Sequence, residues 1–521
     1  MTSSSLNLSS QLLVGEMLKR ATHKTPHAEA YVYQEQRVTF KEIDERSTKL
    51  AAWLQGKGIV KDDKVGFMLK NSMAFPEVAF GVALSGGVGV PINFRLGPSE
   101  IEYIVNNSDT KILIIDYDYV DIIRSIRDNL EKVEKVVVVG ADNVPDDYIK
   151  YESIFDNEFT YQPCEVLADE NPCFIVYTSG TTGRPKGAVL THKNICLNLM
   201  NLLYDTKSTL GDSQLIVVPQ FHIAGLLLTL FACLTSGKTV IQREFNPVDV
   251  LSTVESEGIN VLFLVPAMWN FLFQVPNIDD YNLSSLKIAS TGAAITPLEV
   301  KKRILETFNN AILFDNFGQS ETTANTTSNS GEDALRKTES VGKPYINVEV
   351  RIVDENMNDV PIGEVGEIVY RGPTVMKEYY KNPEATKEAF EGGWFHSGDL
   401  VRMDEEGFIY VVDRKKNMLI SGGENIYPAE VEEILYQMPQ ILECAVIGVP
   451  DKEWGESVKA IVVIKPEHTL TEEQVIEYCK KHLASYKKPK VVEFVEELPR
   501  NASGKVLKYV LQRESEKMNK N

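Results

Sequence analysis

Residues 174–187 read FIVYTSGTTGRPKG, an apolar, β-branched run that passes directly into a loop of small and polar residues. By its pattern the first part is a buried strand. From Tyr177 to Gly187 the loop holds four hydroxyl side chains besides the tyrosine (Thr178, Ser179, Thr181 and Thr182), three glycines and two cations. Glycine lets backbone N–H groups approach a ligand closely, hydroxyls add donors, and Lys186 adds a compact positive charge. That combination suits a polyphosphate. It is not a Walker A loop, because Pro185 stands where the second glycine of GxxxxGK(S/T) belongs. Taken alone, the loop also reads as a plain Gly/Thr surface turn.

Outward from this strand the same rhythm repeats from about residue 10 to 400. Apolar runs at 112–115 (ILII), 136–139 (VVVV), 215–218 (LIVV) and 261–265 (VLFLV) alternate with helix-like stretches. In TFKEIDERSTKLAAWLQGKG (39–58) Thr39 is the expected N-cap, Glu42 completes a capping box, and Gly56 or Gly58 closes the helix. Continuous apolar strands between amphipathic helices point to parallel sheets buried on both faces, hence an α/β fold. From Val348 to Val412 the pattern changes to short alternating strands with Gly and Pro turns, which predicts a small β-subdomain. After the charged break DRKKN (413–417) a new rhythm begins. It predicts a helix over roughly Ala429 to Gln437, strands at CAVIGV and KAIVVIK, a helix at TEEQVIEYCKKHLA and a strand at VVEFVE. About a hundred residues with their own alternation can form a separate domain.

The chain of 521 residues exceeds what one core supports, so several domains or subdomains are expected. Its formal charge of −20 sets it against nucleic acid and anionic lipid, so an anionic ligand must be held by local donors. The first residues, MTSSSLNLSSQLLVGEM, have no basic n-region and no signal-length apolar run. The longest apolar stretch, Ile223 to Leu234, includes Thr229 and is too short to span a bilayer. Six scattered cysteines without a CxxC spacing predict thiols in a reducing compartment, and the expected location is the cytoplasm. The seven histidines show no metal-ligand spacing either.

TSGTTGRPKG resembles the phosphate loop of the adenylate-forming superfamily, which comprises acyl-CoA synthetases, peptide-synthetase adenylation domains and luciferase-type enzymes. Six further motifs of that superfamily follow in order: FHIAG (221–225), STGAA (290–294), NFGQSETT (316–323), WFHSGDL (394–400), DRKKNMLISGGENIYPAEVE (413–432) and NASGKVLK (501–508). The resemblance covers nearly the whole chain. It implies a large N-terminal domain, residues 1–413, of two parallel-sheet αβ subdomains plus the small β-subdomain. A hinge at 414–416 and a small mobile α+β lid domain, 417–521, would follow.

What the resemblance implies about chemistry is an AMP-forming ligase. ATP would be held by Thr178, Ser179, Gly180, Thr181, Thr182, Gly183, Lys186, Gly292, Ala293, Asn316, Phe317, Gly318 and Ser320, with its ribose on Asp399 and Arg414. Glu321 would take Mg²⁺, the hard cation a carboxylate prefers. Phe317 stands where the family has Tyr, and Ser320 where it has Thr; neither change removes the implied role. His222 matches the aromatic gate between the ATP and acyl sites. Lys505 matches the catalytic lysine, whose ammonium relieves the repulsion when a carboxylate attacks a phosphate. No general base is needed, since a carboxylate is already ionised near neutral pH. A swing about Lys416 would withdraw Lys505 and bring Gly422, Gly423 and Glu424 against the pantetheine arm of coenzyme A.

The thiol is expected to be coenzyme A, with SYKKPK (485–490) able to attract its phosphates. An acyl pocket lined by His222–Leu227, Phe263–Met268, Thr291–Ala293 and Gln319–Asn325 holds no Arg or Lys. A second carboxylate on the substrate is therefore disfavoured. Small residues there (Gly225, Gly292, Ala293) are expected to leave depth, which favours a medium- or long-chain fatty acid. An aryl- or cinnamoyl-type CoA ligase, a stand-alone carrier-loading enzyme, a non-catalytic nucleotide-binding relative and a luciferase-like oxygenase are the competing readings. The sequence leaves open whether the chain acts alone or as a homodimer.

Overall fold

The strand Pro172–Thr178 carries FIVY into the middle of an eight-stranded sheet. The computed structural model describes residues 10–141, 143–156, 158–178, 184–421, 424–451, 454–500 and 506–518. The chain divides into two compact units: 1–350 with 370–395, and 351–369 with 396–521. Both sides of the expected hinge at 414–416 therefore fall within the second unit.

The first unit holds two mixed sheets. In one, Pro172–Thr178, Val88–Pro91, Lys64–Met68, Thr110–Asp116, Lys135–Val139 and Ile149–Lys150 run parallel. Lys186–Thr191 and then Glu378–Tyr379 are added antiparallel at one edge. In the other, Glu29–Tyr33, Thr239–Ile241, Gln214–Ile216, Val261–Phe263, Ile288–Gly292 and Ile312–Phe317 are parallel. Gln36–Thr39 is added antiparallel at one edge, and Thr327–Ser330 and then Ser340–Pro344 follow antiparallel on the other side. The parallel cores match the α/β expectation; the antiparallel edges are what an apolar-run reading does not detect. Fully buried aliphatic residues such as Leu113, Val137 and Leu262 fill the strands, and Trp269 packs beside the second sheet.

Local signals place several elements well. The helix Phe40–Gly56 starts at Thr39, whose hydroxyl accepts from the Glu42 N–H (3.2 Å) while Glu42 accepts from the Thr39 N–H (2.7 Å). Gly58 then takes the left-handed conformation, φ 87°. Two strands are shorter than their apolar runs. Val261–Phe263 stops early because Val265 becomes the N-cap of the helix Pro266–Leu272, with proline at the first helical position. Gln214–Ile216 likewise ends before Pro219.

The strand Phe395–Met403, whose residues from His396 on belong to the second unit, pairs antiparallel with Ile409–Arg414 of that unit. A further sheet joins Glu424–Ile426, Leu419–Ser421, Gly455–Ile464 and Ile441–Asp451, with Val491–Phe494 parallel to Gly455–Ile464. The helices Pro428–Tyr436 and Glu472–His482 pack on it, within one or two residues of the expected bounds. All six cysteines are free thiols, and all but Cys164 are buried. Among the described residues no helix is long and apolar enough to cross a membrane.

Candidate active site

In the first unit the hairpin Pro172–Thr178/Lys186–Thr191 sets Thr178 directly opposite Lys186. Ser179, Gly180, Thr181, Thr182 and Gly183, which join the two, lie outside the described residues. Glu321 sits on the one-turn helix Ser320–Thr322, 8% exposed, and meets this hairpin from across the unit. Its Oε1 accepts from the Tyr379 hydroxyl at 2.9 Å and from the Thr178 hydroxyl at 3.5 Å. The Lys186 Nζ lies 5.0 Å from the centre of the Tyr379 ring. Thr178, Lys186 and Glu321 are thus brought together, and Tyr379, which no motif singled out, joins them.

The Glu321 turn is braced from behind. Its carbonyl accepts from the Met376 N–H at 2.7 Å, and Thr323 Oγ1 donates to the Thr374 carbonyl at 2.8 Å. From the helix His192–Thr206, Asn194 donates to the Pro373 and Val375 carbonyls and Asn198 to the Asn325 carbonyl. Thr323 and Ala324 adopt left-handed φ values of 58° and 75°. Such non-glycine backbone is strained and persists only where its surroundings over-determine it. These bonds supply that determination.

The strands Ile288–Gly292 and Ile312–Phe317 run side by side with Gly292 opposite Asn316. The Asn316 amide donates to Ser290 Oγ (2.7 Å) and accepts from the Tyr345 hydroxyl (2.8 Å), so its side chain is engaged within the protein. Phe317, Gly318 and Ser320 are half-buried, and Ala293 is exposed with φ 65°. Beneath them Lys301, 1% exposed at its side chain, pairs with Asp315 at 2.8 Å. Burial pushes the Asp315 carboxyl above its ordinary range against the opposing pull of Lys301.

His222 is the N-cap residue of the helix Ile223–Thr235, its ring 4.3 Å from that of Phe221. Burial, aided by the positive charge of Arg95, pushes its pKa down to about 4. At neutral pH the ring is uncharged. The expectation that small residues leave depth here does not hold for two of the three. A side-chain carbon at Gly225 would collide with the Pro219 carbonyl, and one at Gly292 with the Asn316 carbonyl. These glycines admit backbone rather than ligand. Gly318 is of the same kind, facing the Ala324 carbonyl.

In the second unit Asp399 and Arg414 stand opposite each other on paired strands, and Arg414 Nε lies 2.6 Å from Asp399 Oδ1. Asp399 is 3% exposed. Glu367, which the sequence reading passed over as a strand residue of GEIVYRG, organises this hairpin. Its carboxylate accepts from the Gly398 N–H and pairs with His396 and Lys415, each at 3.0 Å. Burial raises the Glu367 pKa, yet hydrogen bonds from His396 and Lys415 outweigh it and hold the group below its ordinary value. Asp413 accepts from the Ala429 N–H at 2.8 Å and so caps the helix Pro428–Tyr436, whose own N-cap Tyr427 offers no side-chain acceptor.

Lys416 lies exposed in the turn after Arg414, and Glu424 begins an exposed strand edge. Gly422, Gly423 and Lys505 lie outside the described residues; Arg500 and Val506, on either side of Lys505, form a β-bridge. Lys487 and Lys490 of SYKKPK are paired with Glu430 (2.7 Å) and Asp451 (2.8 Å), so their charge is already met within the unit.

The AMP-binding enzyme profile matches residues 18–380, and that of the AMP-binding enzyme C-terminal domain matches residues 430–505. Feruloyl-CoA synthase of an Amycolatopsis species is 36% identical over 497 residues, 95% of this chain and 97% of that protein. A long-chain-fatty-acid–CoA ligase of Mycobacterium tuberculosis is 34% identical over 501 residues, covering 96% and 97%. The solved structure of o-succinylbenzoate CoA synthetase of Bacillus subtilis with ATP and magnesium ion superposes with a TM-score of 0.83 at 29% identity. It covers 95% of this chain and 98% of that one.

Proposed function

Because the chain belongs to the AMP-binding enzyme family and is an acid–thiol ligase, we propose that it activates an apolar monocarboxylic acid, first a medium- or long-chain fatty acid, for transfer to coenzyme A. The observation behind the acid's class is the absence of charge along the helix that His222 heads. Helix Ile223–Thr235 buries Ile223, Leu226, Leu227, Leu228, Leu230 and Phe231 and offers no charge. An uncharged His222 at its head suits an apolar chain better than a second carboxylate would.

The chemistry divides among this chain's residues. Thr178, Lys186 and the loop between them take the phosphates, and Asp399 with Arg414 takes the ribose hydroxyls. The acid's carboxylate oxygen attacks the α-phosphorus, the bond to pyrophosphate breaks, and the acyl-adenylate forms. The donor set of Thr178 and Glu321, all oxygen, fits Mg²⁺, which when bound supplies neutralisation of the phosphate charge. Lys505 lowers the repulsion between the two anions at the reacting centre. A turn about Lys416 then replaces Lys505 by the Gly422–Glu424 segment. The thiol sulfur attacks the acyl carbonyl, the thiol gives up its proton and AMP leaves.

Two observations favour an aryl acid as a second reading. Gly225 and Gly292 face backbone carbonyls and open no depth for a long chain, and Arg95 brings a cation near His222. Similarity to a feruloyl-CoA synthase points the same way. Acid-dependent pyrophosphate release across decanoate, palmitate, ferulate, benzoate and succinate decides between them. The fatty-acid reading expects kcat/KM to rise with chain length. Preference for ferulate would replace it by the aryl reading, and preference for a dicarboxylate such as succinate would overturn both.

A further inference from the structure

Tyr379 has no place in any of the motifs above, yet it touches two of the groups they supply. It lies on the two-residue strand Glu378–Tyr379, added to the edge of the sheet against Lys186–Thr191. That edge is firmly tied. The Lys377 N–H donates to the Val189 carbonyl (2.9 Å), the Tyr380 N–H to the Gly187 carbonyl (2.8 Å), and the Tyr379 N–H to Thr386 Oγ1 (3.0 Å). The ring is half-buried, with Lys186 Nζ 5.0 Å from its centre, and the hydroxyl donates to Glu321 Oε1 at 2.9 Å.

We propose that Tyr379 is a positioning residue for the metal–phosphate site, fixing the Glu321 carboxylate through its hydroxyl and steering Lys186 with its ring. A carboxylate on a short turn can rotate about its side-chain torsions, and a metal ligand that rotates loses affinity. With Oε1 held by the phenol and by Thr178, Oε2 is the oxygen presented in a fixed direction to a cation. Groups that orient a metal ligand in this way contribute to metal affinity without touching the metal. The ring face attracts an ammonium by its quadrupole, so it holds Lys186 beside Glu321 without neutralising it as a carboxylate would. A lysine left fully charged is the one a phosphate needs.

The inference rests on Glu321 and Lys186 forming that site, and the test separates the two. ATP binding is measured by calorimetry on the full chain with Mg²⁺ present and with EDTA in its place. Tyr379→Phe keeps the ring and removes only the hydroxyl. It should cut the Mg²⁺-dependent gain in ATP affinity by about 10- to 100-fold while leaving affinity in EDTA unchanged. Thioester formation from preformed acyl-adenylate should also stay unchanged. Glu321→Gln is run alongside. If Glu321→Gln removes the Mg²⁺-dependent gain and Tyr379→Phe does not diminish it, Tyr379 has no positioning role. If Glu321→Gln itself leaves that gain intact, the metal site lies elsewhere and the inference falls with its premise. Equal weakening of Tyr379→Phe with and without Mg²⁺ would mark a structural role only and also overturn it.

Discussion

His222 shows how one side chain can cost the fold stability in acid. Its pKa, pushed down to about 4 by burial and by Arg95, lies below the ordinary value of about 6.5. Between those two pH values the unfolded chain binds the proton and the folded chain does not. Stability is therefore full above about pH 6.5 and is lost as pH falls toward 4, by up to roughly 3 kcal/mol at the lower end. His192, fully buried and pushed down to about 3, adds a second loss that extends further into acid. His222→Phe keeps an aromatic ring and removes the first of these. Its thermal unfolding midpoint should fall less steeply than that of the parent between pH 6.5 and 4. Parallel curves would mean that the His222 ring is accessible to protons in the folded state.

Elements set the site by leaning on pairs buried beneath it. The strand Ile312–Phe317 delivers Asn316 and Phe317, and Lys301 of the helix Leu298–Thr307 holds it through Asp315 and the Thr338 carbonyl (2.6 Å). Removing one partner of a buried pair strands the other, at a cost of roughly 3–5 kcal/mol. Lys301→Met should lower stability by that amount in urea denaturation, and adding Asp315→Leu should recover much of it. A loss under about 1 kcal/mol for the single variant would show that water already reaches the pair. Element boundaries were legible where a local rule fixes them: the Thr39–Glu42 capping box lies within four residues, and Pro266 announces its own helix. Asp413 capping the helix Pro428–Tyr436 was not legible, because acceptor and donor stand 16 residues apart and meet only by folding.

At the scale of the whole molecule the proposed cycle assigns the two half-reactions to different parts of the chain. In that proposal Lys505 serves adenylation alone, since the repulsion it would relieve exists only when carboxylate approaches phosphate. Lys505→Ala should abolish acid-dependent pyrophosphate release yet still form thioester from synthetic acyl-adenylate and coenzyme A. Rapid-quench measurement of each step reads this directly. Equal loss in both, from a protein with unchanged unfolding, would remove Lys505 from its role.

The sequence by itself determined the α/β class and the order of the seven motifs, because each rests on neighbours along the chain; the class of reaction followed from the family those motifs resemble. Strand pattern, loop chemistry and capping need no long-range partner to be read. Only the tertiary structure decided which residues share a site. It set Glu321 against Tyr379 across 58 positions, made Glu367 the common acceptor of Gly398, His396 and Lys415, and paired Lys487 and Lys490 with carboxylates. It also turned Gly225 and Gly292 from expected pocket space into points where two backbones meet. A glycine in a sequence announces that a side chain is unwelcome; what occupies its place depends on how distant segments pack.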